Sequence, residues 1–449
     1  FSEKTIDWPG GDLNTAWCRW TKRALRASAK QAKGAERWIS EFPERVFLDR
    51  NCTIPFPIEF PTPENRTVHR VLVARGASSA YKNQFGGSSG SLIISPDIKG
   101  DAHWSNAAGR IQPFTVGDID PDGSFVHVFD EVALDIVLRE LDTIRDFTDY
   151  LMKRAEFIRS GKLAEAHGEE NLLAFYAIRI NADGDHDFVV DQLPTPIVID
   201  RKRYSKLASD PRYIAKRQED KVSYAWDMLI DSFTTNMLNG TSITPEGYSF
   251  DLRRDEAGIR EMALLSRYLR RAHGQAFLGA LEKGKDVDRF CRVIMAPAGA
   301  KDCATAFFIQ TFNYAKWIDF LKEKGGYETY RQKRTDLAII FGKGLLERYP
   351  HLRQVIGISR EPLGQDHGVS EDLVCIGQTE WTDDERQKIR EDCEALNMLQ
   401  DVRENHWREN EFPDVETIVI QRSPRHLTNT SLNRQQRRAL TSKQRKKRK

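Results

Sequence analysis

The sequence predicts an α/β protein of at least two domains, and three observations lead to that prediction. With 449 residues, the chain exceeds the size at which single hydrophobic cores usually stop growing. Hydrophobic residues make up 40% of the sequence, which is ample material for real cores. Short apolar segments typical of strands alternate with longer segments of helical periodicity, as they do in α/β layer structures.

Composition and pattern divide the chain into three regions. We expect an α/β domain over residues 1–130 and a second, mixed α/β domain with long helices over residues 131–432. The tail from 433 to 449 contains nine Lys or Arg residues and no acidic residue. Because such a cationic run has no apolar periodicity, we expect the tail to be disordered.

The first elements are a strand and an amphipathic helix. Phe1-Ser2-Glu3-Lys4 is typical of the end of an apolar strand, and a helix is predicted from Asn14 or Thr15 to about Ile39. One face of this helix carries residues that recur every three or four positions, namely Trp17, Trp20, Ala24, Ala27, Gln31, Ala35 and Trp38. Gln31 is therefore expected to face inward, while the basic residues largely occupy other faces.

Strands are predicted at residues 68–76, 91–94 and 125–129, followed by one long helix from about Glu131 to Ile158. The segment from Gly86 to Gly90 is glycine-rich, but it has neither the Walker pattern nor GxGxxG, so a hairpin turn is favoured over a phosphate-binding loop.

The acidic segment that begins at Asp118 resembles the start of a calcium-binding EF-hand loop. Its twelfth position is Phe129 rather than Glu, and Pro121 interrupts it, so the pattern favours an acidic turn before a strand.

The C-terminal half alternates in the same way. Helices are predicted at 216–233, 258–278 and 327–348, and strands at 292–295, 305–309, 355–358 and 373–376. Glu361 and Asp372, each next to a predicted strand, can gather at the carboxyl edge of a sheet, where α/β proteins bind ligands.

Cysteine, histidine and hydropathy patterns exclude several classes of protein. The six cysteines form no CxxC pair, which argues against a zinc knuckle or a disulfide framework and favours buried, reduced thiols. No HxxxH or HxH pair offers two metal ligands on one face. No apolar run reaches the 18 or so residues that a membrane span needs, so a soluble, cytoplasmic protein is expected.

The opening strand carries the strongest candidate for catalysis. In metal-dependent cleavage of phosphodiesters, carboxylates hold Mg²⁺ next to the scissile phosphate, and a lysine orients the attacking water or offsets developing charge. An acid and a lysine two positions apart on one strand point to the same side of a sheet, as this chemistry requires.

These residues resemble the PD-(D/E)xK, or restriction-endonuclease-like, superfamily, in particular nuclease-related members in which a helix carrying a Gln follows the lysine strand. The resemblance covers about 40 of the 449 residues. It implies a restriction-endonuclease-like N-terminal fold, Lys4 as the catalytic lysine, Gln31 as a supporting polar group near the metal, and Mg²⁺ as a possible cofactor.

Two departures from the superfamily pattern bear on activity. A strict match places the acid at position 2, where this chain has Ser2, while Glu3 is adjacent to Lys4 and is expected to face the other side of the strand. The superfamily also has an essential Asp on a strand upstream of this one. The rest of the chain resembles bacterial proteins that begin well before Phe1, so a truncated start and a chain inactive as a nuclease are expected.

The functional expectation is a protein that binds or processes nucleic acid, DNA or RNA. The tail residues expected to contact phosphates are Arg434, Arg437, Arg438, Arg445, Lys446, Lys447 and Arg448. A tail that only confers solubility remains the alternative for these residues. For the whole chain, the alternatives are an RNA- or ribosome-associated protein without catalysis and a protein-interaction scaffold.

Overall fold

The chain folds into two compact α/β units that meet in sequence between Ile214 and Ala215. The computed structural model describes residues 2–3, 6, 11–86, 89–105, 111–190, 195–244, 251–296, 303–316, 325–364, 370–407 and 410–413. The fold class expected from the sequence is confirmed.

The N-terminal unit contains two sheets. Its strands are β1 (Ser2–Glu3), β2 (Arg70–Arg75), β3 (Ile93–Lys99), β4 (Thr115–Asp118), β5 (Val126–Phe129), β6 (Leu163–Ala166) and β7 (Ile197–Ile199). The first sheet has the order β1-β2-β5 and is entirely parallel. The second has the order β4-β3-β6-β7, in which only the central β3-β6 pair is antiparallel.

The helices of this unit are α1 (Leu13–Thr21), α2 (Ala27–Glu41), α3 (Ser78–Gln84), α4 (Glu131–Glu140), α5 (Ile144–Arg159), α6 (Glu169–Ala177), α7 (Arg203–Ser209) and α8, whose range Pro211–Glu219 extends past the boundary. A π-helical turn, Lys22–Arg26, joins α1 to α2. Asp12 begins α1 by accepting hydrogen bonds from the backbone N–H groups of Asn14 and Thr15.

Two hydrophobic clusters form the core of the N-terminal unit. One packs the stacked rings of Trp17 and Trp20, whose centroids lie 4.9 Å apart, against β2, β4 and β5. The other joins α4, α5 and α6, with Tyr150 and Phe157 fully or almost fully buried. Burial of these aromatic side chains supplies much of the hydrophobic stabilisation.

The C-terminal unit is built on one mixed sheet. Its strands are β8 (Arg289–Met295), β9 (Thr305–Phe312), β10 (Gln354–Arg360) and β11 (Glu371–Gly377), in the order β11-β10-β9-β8. Its other helices are α9 (Tyr224–Leu238), α10 (Leu252–Ala263), α11 (Arg267–Lys283), α12 (Gly326–Arg348) and α13 (Asp383–Ala395). Strands β9 and β10 are parallel, and α12 lies between them in sequence. One cluster packs α9, α10 and α11 on the sheet, and another packs α12 and α13.

Several boundaries differ from those the sequence predicts. The unit boundary replaces the one expected between residues 130 and 131, because β5 and α4 belong to the same unit. The single helix expected from Glu131 to Ile158 is two helices, since the Thr143 hydroxyl accepts the N–H of Asp146 and begins α5 anew. The expected helix 258–278 likewise spans parts of α10 and α11.

The hairpin turn expected at the glycine-rich segment is wrong. Helix α3 lies between β2 and β3, and these two strands belong to different sheets. The acidic turn before β5 is confirmed, with the backbone N–H of Gly123 donating to the carbonyl of Asp120.

All six cysteines are free thiols, as expected. Only Cys393 is buried, and Cys52 is exposed, so the expectation that all of them are buried is wrong.

Candidate functional site

The strand expected at the start of the chain is present as β1. Ser2 lies opposite Ala74 and Glu3 opposite Arg75 in a parallel pairing with β2. The side chains of Ser2 and Glu3, and the whole of Lys4, lie outside the described residues. Their catalytic roles therefore stay predictions.

Gln31 is exposed, so the expectation that it faces inward is wrong. The π-helical turn is the physical reason, because it inserts one extra residue into the helical repeat. After that turn, the inward positions are Ala29 and Ala32, which pack on the core, while Trp38 is 43% exposed. A constant period of 3.6 residues places the stripe one position too early.

The shifted helix face brings Glu36 inward instead. Glu36 forms an ion pair with Arg70, whose side chain is 7% exposed and which also pairs with Asp120 at 2.7 Å. Lys33 contacts the same Asp120 oxygen at 3.3 Å. Burial by itself raises the pKa of Asp120, but hydrogen bonds from Arg70 and Lys33 outweigh it, and the pKa lies below its usual value. This balanced cluster ties α2 to the amino edge of the β1-β2-β5 sheet.

The opposite, carboxyl edge of the same sheet carries buried acids. Asp130 follows β5 directly and begins α4, accepting hydrogen bonds from the N–H groups of Val132 at 2.9 Å and Ala133 at 2.8 Å. Its second oxygen accepts the N–H of Leu92 at 2.8 Å. Burial raises the pKa of Asp130 to about 6 despite these donors, and the charges of Glu131 and Glu170 add to the effect.

Glu170 has an oxygen that meets no donor. The residue is 6% exposed, and its Oε1 accepts hydrogen bonds from the Ser89 hydroxyl at 2.8 Å and the Asn171 amide at 3.0 Å. Its Oε2 is buried and has no hydrogen-bond partner in the part of the chain that the structure describes. Burial raises the pKa of Glu170, although the Ser89 and Ser91 hydroxyls and its own backbone N–H favour the charged form. The exposed Ser89 places this carboxylate close to solvent.

Gly168 is required by the position of that carboxylate. Its φ is +102°, and a Cβ atom there would lie 2.6 Å from both Glu170 carboxylate oxygens. A side chain at this position would therefore meet both backbone strain and the carboxylate.

Glu131 completes the acidic edge. Its oxygens accept the N–H of Gly76, directly after β2, at 3.3 and 3.4 Å. Strands β1, β2 and β5 are parallel, so their carboxyl ends share this edge. Within the described ranges, no three His, Cys, Asp or Glu side chains are placed to hold a metal ion together. Mg²⁺ commonly uses only one or two carboxylates with water and substrate phosphates, and the Glu170 oxygen fits that requirement.

Sequence reasoning missed these three acids. A weak signal was present, since Asp130 and Glu131 follow an apolar strand at the place where parallel sheets bind ligands. Glu170 gave no comparable signal, because its burial depends on segments distant in sequence.

The expectation that Glu361 and Asp372 gather at one edge is confirmed in the C-terminal unit. Both pair with Arg334, which is fully buried: its Nη1 lies 3.0 Å from Glu361, and its Nε donates to Asp372 at 3.1 Å. The Tyr327 hydroxyl donates to the second Glu361 oxygen at 2.5 Å, and Arg331 donates to the second Asp372 oxygen at 2.7 Å. All four carboxylate oxygens thus have partners.

The cationic tail residues from Arg434 to Arg448 lie outside the described residues, and their contacts with nucleic acid stay predictions. Among the helices the structure describes, none combines the length and the apolar character that crossing a membrane requires. Comparisons of the chain with protein-family models, with curated proteins and with solved structures found no match.

Proposed function

We propose that this protein binds and processes nucleic acid, with a cation-dependent, nuclease-like site at the carboxyl edge of the β1-β2-β5 sheet. The resemblance of the Ser2-Glu3-Lys4 strand to the PD-(D/E)xK superfamily motivates the reaction class. The observation that carries the proposal is the buried Glu170 oxygen without a donor, at the edge where the strands end.

A cation at Glu170 accounts for an otherwise unfavourable group. A buried carboxylate oxygen that has lost water and gained no donor costs roughly 1–3 kcal/mol or more. In this proposal Glu170 and Glu131 are the residues that would hold Mg²⁺. When bound, Mg²⁺ supplies charge stabilisation to a phosphodiester undergoing attack by water. Asp130 keeps α4 and the Leu92 backbone in place beside them.

The charge of the helix after β1 supports a polyanionic partner. Exposed basic residues lie along the π turn and α2, namely Lys22, Arg23, Arg26, Lys30 and Lys33. Of these, Lys33 pairs with Asp120 while its side chain stays 63% exposed. A row of exposed cations attracts phosphates without regard to sequence.

Cleavage assays test the catalytic part. The protein is incubated with plasmid DNA and, separately, with single-stranded RNA in Mg²⁺ or EDTA. The resemblance by itself implies an inactive chain, because the upstream Asp of the superfamily is missing. In this proposal Glu170 and Glu131 take the place of that Asp as metal ligands, so we expect cleavage in Mg²⁺ only, and its loss in Lys4→Ala and in Glu170→Gln. Glu328→Gln changes a carboxylate that is 78% exposed in the C-terminal unit, and it serves as the matched control. Equal cleavage by all variants would remove Lys4 and Glu170 from the site.

Thermal unfolding tests the cation separately from cleavage. Mg²⁺ is expected to raise the Tm of the wild type and of Glu328→Gln, since a bound ion stabilises the folded state. The rise should disappear in Glu170→Gln. A rise of equal size in Glu170→Gln would place the cation elsewhere.

A second candidate is an RNA- or ribosome-associated protein that acts through its tail without catalysis. The nine basic residues and absence of acids between 433 and 449 favour it. Deleting these residues is expected to weaken RNA binding and to flatten its dependence on salt. Unchanged affinity and slope would remove the tail from binding and favour a protein-interaction scaffold.

A further inference from the structure

An open cleft lies at the amino edge of the β1-β2-β5 sheet, opposite the acidic edge. It has a volume of about 270 Å³ and lies between helix α5 and the segments that lead into β2 and β5. Its apolar wall includes Val68, Leu151 and Ala155, and its polar wall includes His69, Ser124 and His127. This volume is of the order of small-molecule sites.

His127 presents a donor to this cleft. Its side chain is 2% exposed, and its Nδ1 lies 3.4 Å from Nη1 of Arg154. A guanidinium can only donate, so Nδ1 accepts and Nε2 carries the proton. In the described part of the chain, Nε2 has no hydrogen-bond partner. Burial, with the nearby Arg154 charge, lowers the pKa of His127 to about 2, so the ring stays neutral.

His69 lies beside His127 on the polar wall of the cleft. The two ring centroids are 6.1 Å apart at an angle of 58°. Neither ring nitrogen of His69 has a hydrogen bond among the described residues, and burial lowers its pKa. The cleft therefore has two neutral imidazoles whose free nitrogens can pair with a bound molecule.

The chemistry of these groups disfavours a metal ion and a lone phosphate. A metal needs an unprotonated ring nitrogen, whereas the free nitrogen of His127 carries the proton. A phosphate is attracted by positive charge, but both imidazoles are neutral. The cation that lines the cleft, Arg159, is engaged by Asp118 at 2.6 and 3.1 Å and by two backbone carbonyls. Arg154, next to His127, is engaged by Glu169.

A flat heteroaromatic ring with carbonyl acceptors matches both the apolar wall and the two neutral imidazoles. Its faces can pack against the apolar wall. Its edge can accept a hydrogen bond from Nε2–H of His127 and form a second hydrogen bond with His69. Lys33 and Arg70 lie close to this edge, since Arg70 contacts the Ser124 carbonyl at 3.4 Å and shares Asp120 with Lys33. Arg70 is neutralised by Glu36 and Asp120. The Lys33 side chain stays 63% exposed, so Lys33 is the cation of this pair that suits the phosphate accompanying a base.

We infer that the cleft between α5 and the amino ends of β2 and β5 binds an unpaired nucleobase, with His69 and His127 reading its edge. The base can belong to a single strand or to a free nucleotide. This inference rests on the proposed function for its choice of a nucleic-acid partner, but it does not require cleavage.

Binding assays in EDTA test it without interference from catalysis. The probes are a fluorescent homothymidine oligonucleotide and an abasic oligonucleotide of equal length and charge. Wild type is expected to bind the first about tenfold more tightly, which corresponds to about 1.4 kcal/mol. His69→Ala and His127→Asn should bring the ratio close to one. His351→Ala, an exposed histidine in the C-terminal unit, should leave it unchanged.

Photo-crosslinking of the wild type avoids any dependence on how the variants fold. An oligonucleotide containing 4-thiothymidine is expected to crosslink to the peptides that hold His69 or Phe125 to His127. Competition by thymidine monophosphate would identify a free nucleotide as a source, and its absence would identify the single strand.

Equal affinity of the wild type for both oligonucleotides, or crosslinks confined to other peptides, would overturn the inference. The two proposals fail separately. Base-dependent binding without Mg²⁺-dependent cleavage removes the nuclease and keeps the cleft. Mg²⁺-dependent cleavage, together with an affinity ratio that neither His69→Ala nor His127→Asn changes, keeps the nuclease and removes the cleft.

Discussion

Two buried carboxylate sites, one in each unit, differ in how completely their oxygens are paired. In the C-terminal unit, Glu361 and Asp372 enclose Arg334, and every oxygen of the two carboxylates has a partner. In the N-terminal unit, Glu170 is almost as buried, yet one of its oxygens has no hydrogen-bond partner within the described ranges.

Neighbours in sequence show the same contrast within one helix. Glu169 meets Arg154 at 2.8 and 2.9 Å and the Tyr150 hydroxyl at 2.5 Å, so its carboxylate is saturated. Glu170, one residue later, is not. Burial alone therefore does not distinguish a structural carboxylate from a candidate ligand. The distinction lies in whether donors fill its lone pairs.

The saturated network should give the largest effect when broken. Arg334→Met leaves Glu361 and Asp372 buried without their shared cation, and we expect the free energy of unfolding to fall by roughly 3–5 kcal/mol. Urea unfolding followed by tryptophan fluorescence measures it. Adding Glu361→Gln and Asp372→Asn to this variant should restore part of the loss, because no buried charge then remains. A loss below 1 kcal/mol in the single variant would show that the network is not closed.

A substitution beside the open carboxylate should cost less. Gly168→Ala is expected to lower the free energy of unfolding by about 1–3 kcal/mol, because it combines a left-handed φ with a contact to Glu170. Gly161→Ala is the matched control, since its φ is +75° and nothing lies within 4 Å of its Cβ position. The difference between the two variants in urea unfolding isolates the carboxylate contact. Equal losses would mean that Glu170 moves away freely.

The fold class and most strands could be predicted from the sequence, because apolar runs bounded by turn residues form strands whichever segments they pack against. In the C-terminal unit, all four predicted strands and the helix at 327–348 are present with small shifts. Local signals failed where the helical repeat changed. The π turn moved Glu36 inward in place of Gln31, and Thr143 divided a helix whose apolar period continues across the break.

The site was harder to predict than the fold. Glu361 and Asp372 were recognised by their places beside strands, but Arg334 was missed, because a buried arginine depends on acids that other segments supply. Glu170 and the two cleft histidines are identified by their burial and by ring or carboxylate atoms that have no hydrogen-bond partner among the described residues. Neither property can be read from spacing in one sequence.

Acidification is expected to act on another buried group, a histidine that burial keeps neutral. Burial lowers the pKa of His273 to about 4, while its Nδ1–H donates to the Leu269 carbonyl at 2.8 Å. The unfolded chain takes up a proton near pH 6.5 and the folded chain only near pH 4. Stability from this group is therefore retained above pH 6.5 and lost as the pH falls to 4, by up to about 1.4 kcal/mol per pH unit.

His273→Phe should flatten that part of the pH dependence, as measured by urea unfolding at a series of pH values between 4 and 7. The ring packs edge-to-face against Trp226 and Phe307, which suits a phenyl replacement. An unchanged slope would assign the acid sensitivity to other groups, such as His127 in the open cleft.

The smallest effect is expected for an arginine–carboxylate ion pair at the surface. Arg390 pairs with Glu347 at 2.5 Å, but the Arg390 side chain is 50% exposed and water screens the pair. We expect Arg390→Met to change the free energy of unfolding by no more than about 1 kcal/mol, and the change to shrink at high salt. A loss as large as that of Arg334→Met would mean that pairing itself, rather than burial of the paired charges, sets the cost. The contrast between closed and open sites would then lose its physical basis.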